Sequence, residues 1–396
     1  MMRKRSITQF IILGCALFLV SCISDGRMFK PVTNSPAPIV SPAPSLTLSA
    51  AQISPAGTIE QTCFTTIHKT PEEVRGQGIL ILRFGWVIDL ENGQRVRKPQ
   101  EAIFPGGLAV SPDRKKMAYR DEAKNQLVIA SADRKPIQTV DWDPTWRPYN
   151  FSWHTNDTLL IYLNFDPQID GVLDRGRAII LDLRTGQSQL IPMDYPPKEL
   201  GDTNWYPAYS PDLTQVVYAT NQGKYILGET KTHKTVAVLS TLTYEKPAWS
   251  PDGSSVLVAP DDLYLLSPQW EITRLTYLKQ SKDEPSKKLS RFYSWSPDGR
   301  RIAVWIQKIP PLDPEVYSLA VFDLATGQLR DTCLPWETGP EPEAPLWSPD
   351  GKQLIAQAHY RTTDKGWDIV IVNWADQTYE KIADTLDYLG WMLPSP

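Results

Sequence analysis

Histidine is scarce in this chain: His68, His154, His233 and His359 are the four among 396 residues, and they are scattered. None stands at zinc-type spacing from a second ligand, so no metal or cofactor is assigned. Cysteine is as rare, and Cys63 and Cys333 are the two beyond the N-terminal segment. They are too far apart in sequence for a Cys-x-x-Cys redox motif. No Gly-x-Ser-x-Gly occurs, which removes the nucleophile elbow of an α/β-hydrolase peptidase. Near the start, the apolar run Phe10–Val20 has 11 residues. A helix that spans a bilayer needs ~20, so this run is no permanent anchor.

What the first residues do hold is an address. Arg3, Lys4 and Arg5 precede the apolar run, the layout of a secretory signal. Leu19-Val20-Ser21-Cys22 follows and resembles the lipobox of bacterial lipoproteins. The resemblance implies a signal peptide at 1–21, cleavage before Cys22 and a diacylglyceryl group on its sulfur. It also places the protein in the bacterial cell envelope, anchored on the extracytoplasmic side of a membrane. An ordinary secretory signal would show the same run without the lipid. Removing the peptide leaves 38 basic against 45 acidic residues, a net charge near −7. An acidic, exported chain is a poor partner for nucleic acid. Residues 22–61 carry Pro31, Pro36, Pro38, Pro42, Pro44 and Pro55 among Ser, Ala and Thr. Such composition favours extended, solvated backbone and reads as a tether.

From 62 to 396 the chain is a repeat. Trp-Ser-Pro-Asp-Gly occurs at Trp249–Gly253, Trp295–Gly299 and Trp347–Gly351, each time before an apolar run. The tryptophan slot can be followed through Val110, Trp153, Tyr209, Trp249, Trp295, Trp347 and Trp391, in steps of 40 to 56 residues. Short strands at that period are the mark of a β-propeller, one four-stranded blade per repeat. Serine, proline, aspartate and glycine each suit their place in such a turn, glycine because it accepts positive φ. Arg114 and Leu213 replace it in two copies, so those turns are strained or differently shaped. A second signal keeps phase with the first. Asp-Leu-x-x-Gly-Gln recurs at Asp89, Asp182 and Asp323, fitting the turn between third and fourth strands. In the repeat at 291–336 the strands are expected at Phe292–Trp295, Arg301–Trp305, Tyr317–Phe322 and Gln328–Cys333, innermost first.

The ends complete one another. Apolar runs at Ile79–Leu82 and Trp86–Leu90 lack a preceding slot strand, and Leu389-Gly390-Trp391 is a slot strand with nothing after it. Joining them gives an all-β, seven-bladed propeller of four-stranded antiparallel blades, closed by its C-terminal strand. A six-bladed or open ring is the alternative. The repeats resemble those of the TolB-like propeller family over about 76–392. That likeness speaks for fold, since the family's repeat serves transport accessories, peptidase lids and lipoproteins alike. The tether stands where TolB itself carries a small α/β domain.

Chemistry is thinner. Asp166, Asp170 and Asp174 share a loop but lack the spacing of calcium loops, and solvated charge explains them. Cys63 and Cys333 can pair in an oxidising compartment and fasten the N-terminal segment along the rim; two buried thiols are the other state. The slot tryptophans serve packing between blades, whereas Trp205, Trp336 and Trp367 lie outside the slot. Both turn motifs fall on one face of the ring, and the long connections fall on the other. Variable loops on a rigid frame collect binding residues. Arg175, Trp205, Tyr206, His359, Arg361, Asp364 and Trp367 are therefore the candidate contacts for a protein, peptide or glycan bound by a monomeric scaffold. A hydrolase or lyase of extracellular polymer, with loop carboxylates as acid and base, is the alternative. No catalytic residue is assigned.

Overall fold

The computed structural model describes residues 59–83, 86–97, 108–121, 123–141, 148–163, 178–191, 207–220, 223–232, 234–240, 247–259, 262–267, 269, 271–278, 288–308, 316–337, 342–359, 366–384 and 388–394. Signal peptide, Cys22 and nearly all of the expected tether lie outside that set.

Among the described residues there is no α-helix, and seven sheets make seven blades. Blade 1 is composite, in the order Tyr388–Met392, Ile79–Leu82, Trp86–Asp89 and Gln94–Arg97. Blades 2 to 7 follow the chain, their innermost strands being Leu108–Val110, Pro148–Thr155, Ala208–Tyr209, Ala248–Trp249, Lys288–Trp295 and Leu346–Trp347. Blade 6 continues outward through Arg301–Lys308, Val316–Asp323 and Gln328–Trp336, close to the strands expected from sequence. In blade 7 the outer three are Gln353–Ala358, Asp368–Asn373 and Thr378–Asp384.

Middle strands read as unbroken apolar runs because each blade is packed on both faces. Within Val316–Asp323, Leu319 and Val321 enter a core shared with Trp347, Leu354 and Val370 of blade 7. Ala320 and Phe322 point the other way, to Leu257, Ala259 and Leu275 of blade 5. Strand alternation thus divides one run between two interblade cores. Outer strands are half-wet: in Pro136–Asp141, Ile137 is exposed and Val140 is partly covered.

The slot tryptophans do more than fill space. Indole Nε1 of Trp153 donates to the Ala109 carbonyl at 2.9 Å, Trp249 to Ala208 at 2.9 Å, Trp295 to Ala248 at 3.3 Å and Trp347 to Ser294 at 3.3 Å. Each acceptor is the residue just before the preceding blade's slot residue. The relay changes partner at the closure, where Trp391 donates to Gln77 at 2.6 Å. There Leu80 pairs with Trp391 and Ile81 with Gly390. Trp391 is buried against blade 7 through Ile355 and Ile371, and Met392 against blade 2 through Met117. The ring is closed.

In the Ser-Pro-Asp-Gly turns the serine hydroxyl donates to the aspartate, at 2.6 Å for Ser250–Asp252 and 2.7 Å for Ser348–Asp350. Glycine N–H donates to the serine carbonyl at 2.9 Å in both. Arg114 (φ 61°) and Leu213 (φ 59°) keep the same bond and simply bear the left-handed conformation. Those turns are strained, not reshaped. Leu183, Leu324 and Trp374, each just after a third strand, donate to Asp157, Arg300 and Lys352 in the first turn of their own blades. Both turn families therefore occupy one face, hereafter the turn face.

Two blades carry a fifth strand. Ile59–Gln61 runs parallel to the outer strand of blade 6 and Thr65–Ile67 parallel to that of blade 7. Residues 59–61, assigned above to the tether, belong to the domain. A parallel edge strand takes its place from the edge it meets, which no repeat in its own sequence announces. Cys63, in the segment between these two strands, forms a disulfide with Cys333 of the blade 6 outer strand, with Cα atoms 4.8 Å apart.

Candidate functional site

Opposite the turn face, the second-to-third connections and the blade-to-blade links leave the ring. Of the seven candidate contacts, Arg175, Trp205, Tyr206, Arg361 and Asp364 lie outside the described residues, as do Asp166, Asp170, Asp174 and His233. His359 and Trp367 are described, and they come together at the junction of blades 6 and 7.

The last turn of the blade 6 outer strand reaches across to blade 7. Trp336 forms a parallel bridge with His359, whose N–H donates to Pro335 at 2.9 Å, while Glu337 N–H donates to the His359 carbonyl at 3.1 Å. The Trp336 ring stands 5.6 Å from the imidazole and 6.0 Å from the Trp367 indole. Trp336 is 2% exposed, so it forms the floor, with Trp367 half-buried against the same core. Edge-tilted ring groups of this sort add attraction beyond burial and hold their geometry stiffly. The link entering blade 7 is pinned beside them. Trp305 Nε1 donates to the Glu343 carbonyl at 2.9 Å, Glu343 N–H to buried Gln357 at 3.2 Å, and the Tyr388 hydroxyl to Ala344 at 2.6 Å.

Sequence reasoning missed a second polar group on the same face. Asp262, in the second-to-third connection of blade 5, has no exposed surface. Its carboxylate accepts from the Thr276 hydroxyl at 2.7 Å, Leu278 N–H at 2.8 Å and the Arg274 guanidinium. Arg274 also donates from Nε to the Thr276 carbonyl at 2.9 Å and lies 4.2 Å from the Tyr277 ring centre. A carboxylate so fully bonded is a brace for two loops, not a free acid or base. Nothing in the adjacent Asp261-Asp262 pair signalled it, because its donors come from the outer strand and the link beyond.

Electrostatics differ on the turn face. Hydrogen bonding by Ser210 holds the Asp212 carboxyl below its ordinary value, and the Arg184 side chain does the same for Asp182. These are anions locked into turns, each bonded to its own loop. His154, in a turn slot, has its imidazole pushed down by burial beside Pro211 and Asp212 of the next blade. Among the described residues no group of three His, Cys, Asp or Glu is placed to hold a metal. Among them, too, no helix is long and apolar enough to cross a membrane.

No protein-family model matches the sequence, and no curated protein does. Solved structures do resemble the fold. An oligogalacturonate lyase from Vibrio parahaemolyticus is similar at TM-score 0.53 and 12% identity, over 78% of this chain and 87% of that one. TolB from Acinetobacter baumannii is similar at TM-score 0.40 and 15% identity, over 81% of this chain. The chain spans 65% of that TolB, just under two thirds. The Cps50 (Swd1) propeller domain of Myceliophteria thermophila is similar at TM-score 0.45 and 12% identity, over 72% of this chain and 95% of that one. Identity this low speaks for architecture alone. In fold, the chain is a seven-bladed β-propeller.

Proposed function

We propose that this chain is a lipid-anchored, extracytoplasmic propeller that binds a protein, peptide or glycan on the face opposite its turns. The observation carrying the reading is the inequality of the two faces. The turn face is tied internally at every described repeat, and neighbouring turns are linked as well. Asp113 N–H donates to Asn156 at 2.8 Å and Lys116 to Asp157 at 2.8 Å, both across a blade boundary. The opposite face receives the second-to-third connections and the blade-to-blade links, which are the longest connections in sequence. That division of labour suits recognition. The sector at Trp336, His359 and Trp367 offers an aromatic floor of fixed geometry to whatever the neighbouring loops admit. Cys22 would supply the lipid, and an acidic mature chain keeps nucleic acid away.

Two measurements test the reading. Full-length chain made in a bacterial host with labelled fatty acid takes up label, and Cys22→Ala abolishes it and releases the protein from the membrane fraction. Label persisting in Cys22→Ala sinks the anchor. For binding, the folded protein is offered its own cell-envelope extract and the retained material identified. Trp367→Ala is expected to lose that ligand, and Lys231→Ala on the turn face to keep it. The opposite pattern moves the site to the turn face.

A further inference from the structure

The chain ahead of the ring is laid along the rim rather than left beside it. Thr62 and Phe64 N–H groups donate to Asp331 and Thr332 of blade 6, each at 3.0 Å. Thr65 N–H donates to Gln377 at 2.9 Å, and Lys69 pairs with Glu380 of blade 7 at 2.9 Å. Gly76 N–H then donates to Leu90 of blade 1 at 3.0 Å. Next comes Ile79–Leu82, the strand on which the C-terminal Tyr388–Met392 closes the ring. The strap and the closure are thus in series along the backbone. A pull on residues ahead of Ile59 travels, if nothing intervenes, toward the strand that holds the ring shut.

Something intervenes. Cys333 sits at φ 60° in a bulge that breaks the register between the third and fourth strands of blade 6. Asp331 braces the bulge, accepting from Cys333 N–H at 2.8 Å and from the Ser318 hydroxyl. The bulge gives Cys333 a place beside the strap, where it is bonded to Cys63. Ile59 pairs with Leu329, the second residue of the outer strand after its turn, so the strap enters from the turn face.

We propose that the Cys63–Cys333 bond is a strain relief. It diverts load arriving through the tether into the outer strand of blade 6, and isolates the ring closure in blade 1. Hydrogen-bonded strands part under forces that a covalent bond carries. The source of load rests on the anchoring proposed for Cys22; the load path does not.

The test stretches single molecules of the full chain, held by the N-terminus and by a bioorthogonal handle at Thr232, an exposed turn-face position in blade 4. In the oxidised protein, no extension comes from beyond Cys63 until the ring itself ruptures. Dithiothreitol is expected to introduce a low-force step that frees the strap up to Gly78, about 15 residues or roughly 50 Å of chain. Ring opening then follows at lower force than before. Cys63→Ser reproduces both changes without reductant, and if that variant fails to fold, the reduced wild type decides alone. Coincident oxidised and reduced traces, or the strap step in oxidised protein, overturn the proposal. Because handles replace the lipid, the outcome is independent of whether Cys22 is acylated.

Discussion

Trp347 in blade 7 donates its indole N–H to the Ser294 carbonyl of blade 6, while the Arg301 guanidinium of blade 6 lies 5.0 Å from its ring centre. One side chain thus joins two blades by burial, a hydrogen bond and a stacked cation. Trp347→Phe removes the donor and leaves most of the packing, which is expected to cost about 1 kcal/mol. Trp347→Ala also opens a cavity, for about 3–5 kcal/mol. Denaturant midpoints of the two variants check the separation; an unchanged midpoint in Trp347→Phe would show that the interblade bond contributes nothing of its own.

Gln377 closes the turn between the third and fourth strands of blade 7 at φ 54°, where Gly186 and Gly327 stand in the corresponding turns. The side chain is exposed. An L-residue pays roughly 1–2 kcal/mol there, and glycine returns about half of that through its freer unfolded chain. Gln377→Gly is therefore expected to raise the denaturation midpoint slightly, by about 0.5–1 kcal/mol. A lower midpoint would mean that the Gln377 side chain contributes more than its backbone costs.

At the ring closure the sign reverses. Gly78 has φ 87°, and a Cβ there would collide with the carbonyl oxygen of Met392. Gly78→Ala must move backbone at the seam, and a loss of more than about 3 kcal/mol is expected from strain and lost strand pairing together. Hydrogen exchange locates the damage: amides of Ile79–Leu82 and Tyr388–Met392 should lose protection while those of blades 3 to 5 keep theirs.

His154 makes stability depend on pH. Burial holds its folded-state pKa below the ordinary value of 6.5, so the unfolded chain takes up the proton more readily. Its contribution is complete above that value and is lost as pH falls from about 6.5 through the lower folded pKa. His154→Ser restores the residue type of the repeat and removes the titration. Between pH 7.5 and 5.5 the wild-type midpoint is expected to fall further than the variant's. Parallel profiles would rule the residue out as the source.

The repeat was legible because its chemistry is local. A turn that needs serine, proline, aspartate and a positive φ must show those residues in order, and the Trp slot keeps their phase. The indole bonds between blades were not legible: Trp249 and its acceptor Ala208 are brought together by ring geometry, with no pattern linking them. Asp262 and Arg274 lie within one blade, yet no pattern links them either, and none announces the fifth strands beside blades 6 and 7. Of the predicted contacts, His359 and Trp367 meet over Trp336, a residue the repeat left unexplained.

By itself, then, the sequence determined that short strands would recur, where each would turn, and which two ends lacked a partner. It could do so because turn geometry and strand alternation depend on near neighbours. Only tertiary structure decided what each slot tryptophan bonds to, that Ile59–Gln61 is part of the domain, and that this strand begins at the turn-face end of the blade 6 edge. Those relationships cross blade boundaries, and an edge or a carbonyl 40 or more residues away becomes a partner only once the ring has closed around it.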